Sequence, residues 1–324
     1  MNFIDFCAGI GGGRLGLTDA GYKCLAFSEI ESKAVETYRL LHRTDENNYG
    51  DLTKIDTKNL IDFDLLIGGF PCQTFSIAGD RCGLDDIERG QVIFYLAKIL
   101  KEKNTKYFIL ENVKGLMNHD KGRTFQKILT LLSSIGYRVY YKLLNSIDFG
   151  LTHMRERVYF VGIRKDLDNK NNFIFPKKNS FLPRIEDFLI DEDESLIFNE
   201  NSKTYATFIK YLNNKYNQNR YKIEELLKKE YQVIDTRQSD LRLYENKVPT
   251  IRKGRQGILY VKNGTLRKLS GFEALLLQGF SVDYANKVKD KISNTQLLSL
   301  SGNAMSVNVI EAIGKELKNY IESL

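Results

Sequence analysis

Phe3-Ile4-Asp5-Phe6-Cys7-Ala8-Gly9-Ile10-Gly11-Gly12-Gly13 opens with an apolar run that gives way to a glycine-rich turn. A helix-period segment, Arg14 to Ala20, follows at once, so the turn closes a first strand, Asn2 to Phe6, at the sheet edge where open α/β folds bind ligands. Working outward, the same alternation recurs. Strands are expected over Cys24 to Ser28, Asp64 to Ile67, Tyr107 to Leu110, Arg138 to Leu144 and Val158 to Ile163, and Tyr49-Gly50-Asp51 reads as the end of a further strand-like region. Helices are expected over Ser32 to Leu41, Gln91 to Lys103 and Thr124 to Ser134. Together these predict an α/β domain with a doubly wound, mostly parallel sheet over about the first 165 residues.

From about Asp166 the pattern dissolves into Asn, Lys and charge tracts, the mark of a domain boundary. Tyr231 to Lys268 then carries nine Lys or Arg against three acids, with glycines between them, which fits a β-rich surface presenting guanidinium groups. Val309, Ile310, Ile313, Leu317, Tyr320 and Ile321 are three or four residues apart, a final helix whose apolar face needs a core to cover.

The whole chain, 324 residues with 42% hydrophobic and 27% charged, is long enough for a large core and reads as soluble and globular. No apolar stretch reaches membrane-spanning length and no signal-type segment is present, so a cytoplasmic protein is expected. A net charge of +7 favours a polyanionic partner. Cys7, Cys24, Cys72 and Cys82 form no Cys-x-x-Cys pair or Cys/His cluster, so neither zinc nor a disulfide framework is expected, and no metal at all.

Gly9-x-Gly11 resembles a dinucleotide fingerprint, and Glu29, twenty residues after Gly9, is placed to hold ribose hydroxyls. Such a turn is equally often a tight bend with no ligand. The missing third spaced glycine, and a second acid at Asp51 able to accept from an adenine amine, favour a methyl donor over NAD. The fourth strand region runs into Gly68-Gly69-Phe70-Pro71-Cys72-Gln73. A lone buried cysteine is usually inert, but one in a loop at the ligand edge is a credible nucleophile. The next strand ends in Leu110-Glu111-Asn112-Val113, bringing a carboxyl to the same edge. A thiolate that adds to carbon 6 of cytosine makes carbon 5 nucleophilic, and a carboxyl that protonates N3 stabilises the addition.

Asp5-Phe6-Cys7-Ala8-Gly9-Ile10-Gly11-Gly12, Gly69-Phe70-Pro71-Cys72-Gln73 and Glu111-Asn112-Val113 resemble the ordered motifs of the DNA cytosine-C5 methyltransferase family. The order continues through Arg155-Glu156-Arg157, through Arg267-Lys268-Leu269-Ser270 with Glu273 and Leu277-Gln278-Gly279-Phe280, and ends at Gly302-Asn303-Ala304. The resemblance implies an S-adenosylmethionine-dependent, Rossmann-like catalytic domain (1–172 plus 299–324) and a smaller, β-rich target-recognition domain with its supporting motif (173–298). It implies Cys72 as nucleophile, Glu111 at N3, and Arg155 and Arg157 around the base and the catalytic loop. The cofactor, leaving as S-adenosylhomocysteine, falls to Phe6, Cys7, Ala8, Gly9, Ile10, Gly11, Glu29, Ile30, Asp51, Leu52, Pro71, Val92, Asn303 and Ala304. Gln73 and Ser76, in a mobile loop from about Cys72 to Gly90, fall to DNA.

Arg237, Arg242, Arg252 and Arg255 are candidates for reading base edges in the major groove, each as well suited to neutralising phosphate. Double-stranded DNA is the implied partner, bound between the two domains with the cytosine extruded to Cys72. A monomer is expected, and a restriction endonuclease acting on the same site without stable complex fits the family's restriction-modification branch. Departures are Cys7, where many members have Phe against the adenine; Gly13, where an aromatic often follows; and Thr152-His153 in place of Pro-Gln. His153 is read as a surface or loop residue rather than a base, and Cys82 as incidental. Three rivals are weaker. A dehydrogenase leaves Cys72 and Glu111 unexplained, the tRNA-methylating branch carries a Cys-Phe-Thr stretch absent here, and a non-catalytic DNA-binding relative would have lost one of those two residues.

Overall fold

The computed structural model describes residues 1–70, 92–179, 181–218 and 220–324. They divide into two compact units, one made of Met1–Asn145, Glu156–Lys178 and Ala304–Leu324, the other of Ser146–Arg155 and Asn179–Asn303.

In the first unit β1 (Asn2–Phe6), α1 (Gly12–Asp19), β2 (Lys23–Ser28), α2 (Ser32–His42), β3 (Leu65–Gly69), α3 (Val92–Glu102), β4 (Tyr107–Val113), α4 (Arg123–Ser134) and β5 (Tyr137–Asn145) alternate. β6 (His153–Met154) belongs to the second unit, and β7 (Glu156–Arg164) returns to the first. The six strands order as β2-β1-β3-β4-β7-β5. β1 to β4 pair in parallel, while β7 runs antiparallel to both of its neighbours. Ile4, Leu66, Phe108 and Leu110 on the strands and Leu96, Leu100, Ile128 and Leu132 on the helices are fully or almost fully buried in one core.

Two expectations need correction. β4 does not end at Leu110: pairing with β7 continues to Val113 opposite Arg157, so Glu111 stands inside a paired strand. Tyr49-Gly50-Asp51 ends no strand. Asn48 makes a single bridge to Phe27, and its side chain then replaces the ladder: Glu29 and Gly50 N–H donate to Asn48 Oδ1 at 3.0 Å each, and Asn48 Nδ2 donates to Glu29 O at 3.1 Å. Gly50, at φ +67°, turns the chain away.

The second unit has α5 (Lys203–Leu212), α6 (Ile223–Leu226), β8 (Val233–Asp235), β9 (Arg242–Tyr244), β10 (Val248–Pro249), β11 (Ile258–Lys262), β12 (Thr265–Lys268), α7 (Gly271–Leu277), α8 (Val282–Asn286) and α9 (Asn294–Asn303). Four strands form an antiparallel sheet, β12-β11-β8-β9, and β10 pairs in parallel with β6. A capping box starts α7: Glu273 N–H donates to Ser270 Oγ (2.9 Å), and Ser270 N–H donates to Glu273 Oε2 (3.0 Å). Tyr260 Oη and Asp191 N–H donate to Glu273 Oε1 at 2.7 and 3.2 Å. Arg267, also buried, donates to Tyr260 Oη and to the Asp191 and Asp193 carbonyls. This stretch of motif thus serves as scaffolding.

The chain ends with α10 (Val307–Glu322) back in the first unit, its Val309, Ile310, Ile313 and Leu317 buried. α10 lies against α1 so closely that a Cβ at Gly16 would stand 2.6 Å from Val307 O, and one at Gly314 would stand 2.9 Å from the Ala20 Cβ. Tyr320 Oη and Tyr140 Oη each donate to the buried Asp168 carboxylate at 2.6 Å, fastening the end of α10 to the segment after β7.

Candidate active site

At the carboxyl end of β1 the backbone enters the left-handed region at Cys7 (φ +51°), Gly9 (φ +55°) and Gly11 (φ +80°), and Gly11 N–H donates to Ala8 O at 2.8 Å to close the turn. Beneath it space is scarce. A Cβ at Gly12 would stand 2.3 Å from Met305 O, and one at Gly13 would stand 3.0 Å from Ile67 Cδ1 and 3.2 Å from Met305 Sδ. Gly13 is therefore fitted closely by Ile67 and Met305. Above Gly9 the space is open among the described residues: apart from its chain neighbours, none has an atom within 4 Å of where a Cβ would be.

Glu29, just past β2, fastens the turn. Its Oε2 accepts from Gly9 N–H at 2.8 Å, and its Oε1 accepts from the N–H groups of Ile30 (2.7 Å) and Glu31 (2.8 Å). Ile30 is 73% exposed, a large apolar side chain left uncovered beside the turn. Asp51 accepts on Oδ1 from Thr53 N–H (3.0 Å) and Thr53 Oγ1 (2.8 Å), and these bonds hold its carboxyl below the usual range. Leu52 is buried behind it. Burial pushes the Cys7 thiol up to about 12, with Glu29 and Asp5 adding to the shift, so it is an apolar, protonated neighbour of the turn.

One strand further along, Gly69 pairs with Glu111 in the β3–β4 register, and Glu111 Oε2 is 3.6 Å from where a Gly69 Cβ would stand. Arg157 Nε is 2.9 Å from Glu111 Oε1, both side chains being about nine-tenths covered at 12% and 11% exposure. Asn112 Nδ2 donates to Phe70 O at 2.7 Å, holding the residue that leads into Pro71-Cys72. Pro71, Cys72, Gln73, Ser76 and Cys82 lie outside the described residues. Val92 begins α3, half-buried against the core.

In the second unit Arg155 is buried and its Nη1 donates to Gly302 O at 3.1 Å. Asn303, the last residue of α9, is exposed, whereas Ala304, in the first unit, is buried. The four candidate DNA-reading arginines separate sharply. Arg242, Arg252 and Arg255 are exposed. The largely covered side chain of Arg237 forms a two-bond pair with Asp235 (Nε to Oδ1 2.7 Å, Nη2 to Oδ2 2.8 Å), and its Nη1 donates to Thr250 O at 2.8 Å. That pair and the Thr250 bond engage three of its five N–H groups, so Arg237 is tied to its own unit in a way that the other three arginines are not. His153 also departs from expectation: it is fully buried, because β6 pairs with β10 and Ile251 N–H donates to its Nε2 at 3.0 Å.

Sequence reasoning missed Asn48, Asn112 and Met305. Each acts on the backbone of a remote segment, and only the motif context of Asn112 pointed to any of them.

Comparison with known proteins identifies the family. The profile of C-5 cytosine-specific DNA methylases matches residues 1–319. Type II methyltransferase M.BsuFI of Bacillus subtilis is 36% identical over 99% of this chain and 73% of its own length. Type II methyltransferase M.NgoBI of Neisseria gonorrhoeae is 37% identical over 96% of this chain and 91% of its own. The crystal structure of S. pombe Dnmt2 methyltransferase superposes with a TM-score of 0.69 over 99% of both chains at 18% identity, a likeness of fold. The chain therefore belongs to the C-5 cytosine-specific DNA methylase family and is a DNA (cytosine-5-)-methyltransferase of the restriction-modification type.

Proposed function

We propose that the chain methylates carbon 5 of a cytosine within one short double-stranded DNA sequence, using S-adenosylmethionine, with the target base turned out of the duplex and Cys72 as nucleophile. Its main support is the Gly69–Glu111 register, which sets a largely buried carboxyl beside the strand end from which Phe70 leads into Pro71-Cys72. Protection of host DNA against an endonuclease that cuts the same sequence is the matching biological role.

The donor set fits the cofactor. The backbone of Phe6, Ala8, Gly9, Ile10 and Gly11 offers an open turn, and Glu29 is held rigid beside it for ribose hydroxyls. Asp51, ionised, can accept from the adenine amine, and Cys7 and the uncovered Ile30 offer it apolar faces. Leu52, Pro71, Val92, Asn303 and Ala304 are assigned to the same ligand by motif position. When bound, the cofactor supplies an electrophilic methyl group on a sulfonium sulfur.

Carbon 5 of cytosine is too weak a nucleophile to attack such a methyl group unaided. The Cys72 thiolate adds to carbon 6, forming the C–S bond, while the displaced electrons reach N3 and Glu111 supplies a proton there. Carbon 5 then takes the methyl group and loses its hydrogen as a proton to a base while the C–S bond breaks to return the thiolate, and N3 gives its proton back to Glu111. Arg157 orients the Glu111 carboxyl. Arg155, anchored on Gly302 O, serves the extruded base and the loop. Gln73 and Ser76 contact DNA, and Arg242, Arg252 and Arg255 stand exposed for base edges or phosphates.

DNA carrying 5-fluorocytosine at the target tests the chemistry, because fluorine cannot leave carbon 5 as a proton does. The protein should be trapped covalently on it, and Cys72→Ser should abolish trapping. An adduct that survives this change refutes Cys72. Glu111→Gln should lower methylation by roughly 10²- to 10⁴-fold with cofactor binding retained.

A further inference from the structure

The exposed turn from Arg252 to Gln256 rises from a buried base. β10 stops at Pro249, so the parallel ladder with β6 does not reach the Ile251 N–H, although Ile251 is only 1% exposed. His153 Nε2 takes the ladder's place as acceptor at 3.0 Å, which puts the hydrogen of the neutral ring on Nδ1. Two further bonds hold the residue before: Thr250 Oγ1 donates to Met154 O (2.5 Å), and Thr250 O accepts from the paired Arg237 (2.8 Å). Beyond Ile251 the chain bends, with Arg255 N–H on Arg252 O at 3.2 Å and Gly254 at φ +69°. The bend lies so close to Gly302 that a Cβ there would stand 2.5 Å from Lys253 N.

We propose that His153 is a positioning residue for sequence recognition: by accepting from Ile251 N–H it fixes where Arg252 and Arg255 stand. The inference rests on the reading of those two arginines as DNA contacts. A buried N–H must find an acceptor or carry its full desolvation cost, so the turn would shift if the acceptor were lost. Glutamine also offers an acceptor oxygen; leucine fills similar space and offers none.

The test compares His153→Gln and His153→Leu with the parent in three measurements: kcat and KM for DNA, discrimination against single-base variants of the methylated sequence, and cofactor binding by calorimetry. The leucine variant should raise the KM for DNA by about 10- to 100-fold and relax discrimination, with kcat at saturating DNA and cofactor affinity within about threefold of the parent. The glutamine variant should stay within about threefold throughout. Parental KM and discrimination in the leucine variant would overturn the proposal, as would a glutamine variant equally impaired.

Should the leucine variant fail to fold, hydrogen exchange of the parent decides. The Ile251 amide should exchange as slowly as the β11 amides, and fast exchange there overturns the role. Arg252→Ala and Arg255→Ala, run alongside, test the underlying reading separately. If both keep the parental KM and discrimination while Ile251 stays protected, the arginine reading fails and His153 holds a turn that DNA does not use, which also sinks the proposal.

Discussion

Glu273 makes the second unit sensitive to pH in a direction opposite to most carboxylates. Burial pushes its carboxyl up to about 7 from an ordinary 4.5, although Ser270 N–H, Tyr260 Oη and Asp191 N–H all donate to it. A folded-state pKa above the unfolded one means that the native unit binds the proton more tightly. The associated stability is complete below pH 4.5 and is lost as pH rises through about 7. At 1.36 kcal/mol per pKa unit the loss between those limits is about 3 kcal/mol. Glu273→Gln should flatten the profile, at a cost of about 1 kcal/mol for one hydrogen bond whose donor then meets an amide nitrogen. The two stability curves should therefore cross, the parent ahead at pH 5 and the variant ahead at pH 8.5. Hydrogen exchange of the β11 and α7 amides, corrected for intrinsic rates, measures this in the second unit without assuming that the whole chain unfolds in one step. A parent profile flat from pH 5 to 8 would refute the reasoning, since the three donors would then hold the charged form at no cost.

Two contrasts test the other sites. Gly9→Ala meets open space and only the strain of a positive φ, about 1–2 kcal/mol, whereas Gly12→Ala drives a Cβ into Met305 O; calorimetry with S-adenosylhomocysteine should find several-fold weakening in the first and far greater loss in the second. Arg237→Ala should destabilise the second unit by about 3–5 kcal/mol by leaving Asp235 buried without its partner. Alanine at Arg242, Arg252 or Arg255 should leave melting and cofactor binding unchanged, and in at least one case broaden the methylated sequence; if all three change only salt-sensitive affinity, bases are read elsewhere.

The alternation of strand and helix and the turn after Phe6 were legible because local periodicity and glycine carry them. Glu111 was legible as a candidate, but its place within a paired strand was not, because β7, the strand that prolongs β4, comes some forty residues later. The burial of His153 and the pairing of Arg237 were hidden for a related reason: β10 covers one and a carboxylate two residues away pairs with the other, and neither partner has a periodic signature. Asn48 does with a side chain what a strand does with its backbone, and hydrophobic patterning does not register such a substitution.

The first unit is discontinuous, and its glycine turn rests on Met305 while α1 rests on α10. During synthesis, the ribosome must therefore complete the entire second unit before the residues that underpin the turn have been made. Throughout that interval the face of α1 that packs on α10 has no covering helix. The same order of assembly delays activity, since truncated products that carry Cys72 and Glu111 but stop before Ala304 lack the floor of the turn and should not bind the methyl donor.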